Sequence, residues 1–278
     1  MKTVSTSKSH GGIQGVYSHA SDACACDMTF AVFVPPRAKD RPVPVLWYLS
    51  GLTCTHANVM DKGEYRRMAA ELGLMIVCPD TSPRGEGVPD EKDNWQFGLG
   101  AGFYVDATQE PFARNYRMYS YVAEELPALI AQNFPADMAR QGIFGHSMGG
   151  HGALTIALRN ADRFRSCSAF APIVQPTTAG WSKPALEKYL GADENAWRAY
   201  DATLLLKDGE RFPEFLVDQG TADGFLDEGL RPWLLEDACK KAGVLLELRM
   251  QDGYDHSYNF ISTFMDDHLK WHAARLAS

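Results

Sequence analysis

Apolar positions along the chain fall into short, nearly continuous runs, separated by longer stretches in which they recur every three or four residues. The short runs MTFAVFVP (28–35), VPVLWYLSG (43–51), LMIVCPD (74–80), RQGIFGHS (140–147), SCSAFAP (166–172), EFLVDQG (214–220) and VLLELRM (244–250) read as strands. Several are continuous rather than alternating, the pattern of strands buried on both faces. The stretches DKGEYRRMAAELG (61–73), ARNYRMYSYVAEELPALIAQNF (113–134), GGHGALTIALRN (149–160), DEGLRPWLLEDACKKAG (227–243) and SYNFISTFMDDHLKWHAARLA (257–277) read as helices. Strands alternating with helices predict an α/β chain with a mainly parallel central sheet flanked by helices on both faces. No helix separates the first two strand candidates, so an antiparallel hairpin is expected to open the sheet. Residues 80–112 carry no periodicity, and a loop that long is usually functional, often a binding wall. Residues 175–200, with Trp181, read as a second irregular insertion. No linker, repeat or low-complexity tract divides the chain, so one domain is expected over 1–278.

Composition narrows the partners. The chain has 278 residues, is 45% hydrophobic and 22% charged, and carries a formal charge of −8. That balance argues against nucleic acid and against an anionic membrane surface, and leaves a small molecule as the expected partner. No apolar run approaches the ~20 residues of a spanning helix. The opening MKTVSTSKSHGG lacks the apolar core of a secretion signal. The cysteines are scattered, and nothing near Cys24 and Cys26 completes a metal site. Reduced thiols in a cytoplasmic protein are expected.

The chemistry concentrates in GHSMGGHGAL (145–154). A strand candidate ends at Ser147 and a helix candidate starts just after it, which is the setting of a nucleophile elbow. Such a turn is sharp, and Gly145 and Gly149 suit positions where a side chain would strike backbone. A serine nucleophile needs a base, and an acid between the two in chain order. His256, in the loop before the last helix, is the expected base. His268 and His272 fall late in that helix, where a solvated face is the better reading, and packing roles suit His146 and His151. Two aspartates compete for the acid in VDQGTADGFL. Asp223, in the loop, can turn back toward the histidine, whereas Asp218 is better placed to brace the strand end. Asp255 would need an awkward reversal to reach its own neighbour. The backbone N–H groups of Leu52, after the early strand LWYLSG, and of Met148 are the candidate oxyanion donors.

Taken in order, LSGLTCT (49–55), PDTSPRG (79–85), GAGFYVDAT (100–108), NYRMYSYV (115–122), GHSMGGHGAL (145–154), SAFAPI (168–173), DQGTADGFL (218–226) and GYDHSYNF (253–260) make the chain resemble the S-formylglutathione hydrolase (esterase D) family over nearly its whole length. The resemblance implies an α/β-hydrolase fold and release of formate and glutathione from S-formylglutathione, in formaldehyde detoxification. It places the serine, acid and histidine on Ser147, Asp223 and His256, and a cysteine beside the site on Cys54. It implies no metal or organic cofactor, and a cytoplasmic homodimer. A small acyl pocket is expected around Trp181. Because glutathione carries two carboxylates, Lys62, Arg84 and Lys183 are candidate cations. The chain departs from the family pattern at Ser182, after Trp181, and at Asn259, after Tyr258, both of which bear on pocket shape. A general carboxylesterase is the alternative enzyme, and a non-catalytic binding module on the same fold is the alternative of another class.

Overall fold

The computed structural model describes residues 1–91 and 93–277. Among them, β1 (Lys2–Ser9), β2 (Gly12–Ser21), β3 (Cys26–Val34), β4 (Val43–Leu49), β5 (Met75–Pro79), β6 (Ala136–His146), β7 (Phe164–Phe170), β8 (Glu214–Gly220) and β9 (Leu245–Gln251) form one sheet. The helices are α1 (His56–Lys62), α2 (Arg66–Leu72), α3 (Met118–Ser120), α4 (Leu126–Asn133), α5 (Met148–Arg159), α6 (Lys183–Leu190), α7 (Glu194–Trp197), α8 (Ala202–Asp208), α9 (Pro232–Ala242) and α10 (Tyr258–Leu276). A wide π turn, Tyr121–Glu125, joins α3 to α4, and a second, Leu226–Leu230, precedes α9.

The strand order is β1-β2-β3-β5-β4-β6-β7-β8-β9, with helices on both faces. From β5 to β9 every pairing is parallel, and β1, β2 and β3 add to β5 antiparallel. The core strands follow from their sequences: VPVLWYL in β4 and MIVCP in β5 are almost wholly buried, as continuous apolar runs predict. The antiparallel opening differs in detail from the expected hairpin. The run at 28–35 pairs with β2 and β5, while the run at 43–51 lies inside the parallel part. The extra strands β1 and β2 build the antiparallel edge, and β1 (KTVSTSKS) is exposed along nearly all its length.

Other expectations shift too. Residues 61–73 form the end of α1 and then α2, separated around Glu64, whose φ of 56° interrupts the helix. The insertion at 175–200 is not irregular throughout, since it holds α6 and α7. Between Pro79 and Met118 the long loop carries one isolated β-bridge among the described residues, Asp106 to Arg117, and is tied further by backbone hydrogen bonds such as that from the Ala107 N–H to the Tyr116 carbonyl at 2.8 Å. No helix among the described residues is long and apolar enough to cross a membrane.

From β4 the chain moves to β5 on one side, then returns to place β6 on the other. The loops leaving the carboxyl ends of β4 and β6 therefore diverge, and such a switch point opens a crevice at the sheet edge.

Candidate active site

At that crevice β6 ends in His146, and Ser147 turns the chain into α5 with φ 58° and ψ −118°. A non-glycine residue in this region costs on the order of 1–3 kcal/mol and persists only where its surroundings dictate it. Here they do. The Ser147 N–H donates to the Phe170 carbonyl at 2.9 Å, and the Ser147 carbonyl accepts from the N–H of His151 at 3.0 Å. A Cβ on Gly149 would stand 1.9 Å from the Leu49 oxygen, and one on Gly145 would stand 2.3 Å from the Gly149 oxygen, so neither position admits a side chain.

The loop after β4 meets the elbow directly. A Cβ on Gly51 would stand 3.2 Å from Ser147 Cβ, so this glycine lets the two loops touch. Leu52 follows. Its N–H has no backbone acceptor among the described residues, and Met148, the first residue of α5, leaves its N–H free of the helix ladder. The loop is pinned from outside: Thr53 N–H donates to the Gly100 carbonyl at 2.8 Å, and the Tyr104 hydroxyl to the Ser50 carbonyl at 2.9 Å. Both partners come from the long loop after β5.

The other side of the crevice carries the candidate acid and base. Gly220, at the end of β8, lies so close to the loop after β9 that its Cβ would stand 2.2 Å from the Tyr254 oxygen. The Ala222 N–H donates to that same carbonyl at 2.9 Å, which stitches the two loops together. In this frame Asp223 Oδ2 lies 2.6 Å from His256 Nδ1. The carboxylate also accepts from the Phe225 N–H at 2.9 Å and from Gln219 Nε2 at 3.2 Å, so it is anchored on both oxygens. With its hydrogen on Nδ1 directed at Asp223, the His256 ring leaves Nε2 as an acceptor.

The competing aspartates are occupied elsewhere. Asp218 is fully buried within β8, where it accepts two 2.6 Å hydrogen bonds from Arg249 of β9 and one of 3.1 Å from Gln251. Burial alone would raise its carboxyl, but hydrogen bonds from His268 and Arg249 outweigh it and hold the group below the usual range. Asp255 accepts from the N–H and hydroxyl of Ser257 at the start of α10.

The histidines of α10 are not solvated. His268 and His272 are fully buried, and the expectation of an exposed face fails because α10 lays them on the sheet. His268 Nε2 lies 3.2 Å from Asp218 Oδ2 and its Nδ1 lies 2.8 Å from Ser168 Oγ. His272 Nε2 lies 2.8 Å from the same hydroxyl, and its Nδ1 lies 2.7 Å from Ser166 Oγ. Burial depresses both imidazoles.

Ser147 and His256 face one cavity of about 260 Å³, lined also by Gly51, Leu52, Thr53, Cys54 and His146 and walled by Trp95, Trp181 and Phe225. The aromatic wall was only partly legible. The sequence signals Trp181, whereas Trp95 sits in the unpatterned loop and Phe225 beside the candidate acid. Phe225 packs edge-on against the His256 ring at 5.0 Å, and the His146 ring lies 4.4 Å from it. Burial is the main cause that pushes the His146 imidazole well below its ordinary range, with the adjacent His256 acting in the same direction. Burial likewise raises the Cys54 thiol, with Lys62 and the Tyr258 hydroxyl acting against it. A larger groove, about 400 Å³, lies between α8 and α9, away from these residues.

None of the three candidate cations lines the cavity. Arg84 is committed to Asp80, with its Nε within 3.1 Å of both carboxylate oxygens, and to the Cys54 carbonyl at 3.3 Å. Lys183 pairs with Glu194 at 2.9 Å and lies over the Trp197 ring. Lys62 is exposed, close enough for its charge to act on Cys54. The two departures from the family pattern also lie outside the lining. The buried Ser182 hydroxyl donates to the Pro176 carbonyl, and Asn259 is exposed on the first turn of α10.

A strained serine between a strand and a helix, facing a carboxylate–imidazole pair across a switch point, is the arrangement of an α/β-hydrolase, a serine hydrolase fold. Residues 21–271 match the family described as "Putative esterase". The chain is 52% identical over 275 residues to the S-formylglutathione hydrolase of Paracoccus denitrificans, covering 99% of this chain and 98% of that protein. It is 51% identical to that of Mus musculus, covering 99% of each. A solved S-formylglutathione hydrolase from Agrobacterium tumefaciens superposes with a TM-score of 0.99 at 70% identity, over 99% of this chain and 100% of that one. The chain belongs to the S-formylglutathione hydrolase family of esterases.

Proposed function

We propose that Ser147, Asp223 and His256 act as nucleophile, acid and base in the hydrolysis of S-formylglutathione to glutathione and formate. The observation that carries this reading is the 2.6 Å contact between Asp223 and His256 at the wall of the cavity that Ser147 faces. Similarity to S-formylglutathione hydrolases over the full length supports the substrate.

His256 Nε2 takes the Ser147 proton as Oγ attacks the thioester carbonyl, and Asp223 stabilises the imidazolium that forms. The oxyanion accepts from the N–H groups of Leu52 and Met148, reinforced by the positive end of α5. When the C–S bond breaks, the proton on His256 passes to the sulfur and glutathione leaves as a thiol. Water then gives a proton to His256 and attacks the formyl ester. His256 returns that proton to Ser147 Oγ as the ester C–O bond breaks, and the formic acid released ionises to formate. Lys62 is the cation we assign to a glutathione carboxylate, since Arg84 and Lys183 are held by Asp80 and Glu194.

The aromatic walls of the cavity favour one second reading, a general short-chain carboxylesterase. The deciding experiment compares kcat/KM for S-formylglutathione and for an aryl acetate. Preference for the thioester is expected, and a tenfold preference for the aryl ester would overturn the assignment. We further propose that the protein works in the cytoplasm as a homodimer; sedimentation equilibrium giving a monomer would refute the dimer.

A further inference from the structure

Gly229 lies in the turn Leu226–Leu230, shortly after Asp223, and its φ is outside the left-handed region. Backbone conformation therefore does not require glycine there. Trp181 does. A Cβ on Gly229 would stand 2.2 Å from the indole Nε1, 2.3 Å from Cζ2 and 2.4 Å from Cε2. An indole cannot flex away from such an overlap as a long aliphatic side chain could, so the whole ring would have to move.

The ring's other neighbours define where it would go. Trp95 and Phe225 flank it, each with ring centroids 6.1 Å away, and its remaining side lines the cavity of Ser147 and His256. The buried Nε1–H has no hydrogen-bond partner among the described residues. Packing into the space above Gly229, and not a hydrogen bond, holds the indole. A ring pushed off that space would lose no hydrogen bond, and the cavity it lines is the side left open to it.

We infer that Gly229 determines acyl specificity: by lacking a side chain it seats Trp181 against the turn that follows Asp223, and so sets the width of the cavity. The inference rests on the proposed nucleophile, Ser147, and deepens that reading. Gly229 touches no substrate; it is a positioning residue that acts through the indole. The one position thus couples the loop carrying the acid to the room available for the acyl group.

The test measures kcat/KM for p-nitrophenyl acetate and p-nitrophenyl butyrate in the wild type, Gly229→Ala, Trp181→Leu and the double variant. Gly229→Ala should lower the butyrate-to-acetate ratio by about tenfold or more, the usual scale for a methylene's worth of space in an apolar pocket. In the Trp181→Leu background the same change should leave the ratio where it was, because the ring it displaces is gone. An unmoved ratio in Gly229→Ala, or an equal shift in both backgrounds, overturns the inference. If Gly229→Ala alone is insoluble, the double variant should be restored to solution, and an insoluble double variant refutes the role of Trp181. Ser147→Ala separates the two levels. If it is inactive on both esters while the ratio fails to move, only the role of Gly229 falls; if it still turns over, the nucleophile assignment falls as well.

Discussion

His151, on the first turns of α5, is fully buried, and its Nε2–H donates to the Phe103 carbonyl at 2.9 Å. Nδ1 has no partner among the described residues. Burial lowers the ring to about 4, with the Phe103 hydrogen bond acting in the opposite direction. An unfolded chain would titrate this histidine near its ordinary value of about 6.5. As pH falls below 6.5 the unfolded state takes up the proton first, so stability declines until the folded ring also protonates near 4. Between pH 7.5 and pH 5 the loss from this one group is about 2 kcal/mol, from RT ln of the ratio of the two proton-binding polynomials. Gln in place of His151 carries an amide N–H that reaches the same carbonyl but does not titrate. Urea unfolding followed by tryptophan fluorescence at the two pH values gives the comparison. The wild type should lose about 2 kcal/mol more than His151→Gln over that interval. His146, His268 and His272 titrate in the same direction but are present in both proteins, so they cancel. Equal losses in the two proteins would show that His151 is not held neutral, and the reasoning would fail.

The catalytic assignments make their own demands. Ser147→Ala and His256→Ala should each lower kcat by on the order of 10⁶, without adding in the double variant. Asp223→Asn should lose about 10⁴ through a misoriented imidazole, read as kcat on the formyl thioester. Asp218→Asn should instead leave kcat near wild type and destabilise by about 3 kcal/mol in urea, because Arg249 loses its buried partner; a larger catalytic loss there than in Asp223→Asn would exchange the two roles. Cys54→Ser should remain active and resist maleimide, which in the wild type should attach beside Ser147 and block the cavity that both residues line. Loss of turnover comparable to Ser147→Ala would make Cys54 the nucleophile.

The parts of this molecule legible from sequence were those whose physical demands are local. Continuous apolar runs betray β4, β5, β7 and β8 because both faces of each are covered. The elbow is legible because Gly145 and Gly149 answer clashes with backbone a few residues away or on the adjacent strand. What escaped depends on partners distant in the chain. β1 has no apolar face and exists through its ladder with β2. His268 and His272 look solvated until Ser166, Ser168 and Asp218 arrive from two strands. The charge of Arg84 and Lys183 is evident from sequence, but that Asp80 and Glu194 hold them is not. The role of Gly229 appears only once Trp181 has been folded over it.

The buried run from Arg249 through Asp218, His268, Ser168 and His272 to Ser166 has a direction. Asp218, ionised against Arg249, can only accept. His268 must then carry its hydrogen on Nε2, which leaves its Nδ1 to receive the Ser168 hydroxyl hydrogen. Ser168, having given that hydrogen away, accepts from Nε2 of His272, whose Nδ1 receives the hydrogen of Ser166. Every hydrogen along the row therefore points toward the one carboxylate, like a line of compass needles aligned by a single pole. A charge on β8 thus dictates the tautomers of two rings on α10. Neutralising it by Asp218→Asn would release the whole row to reverse, an inversion that ¹⁵N shifts of the two imidazoles would report.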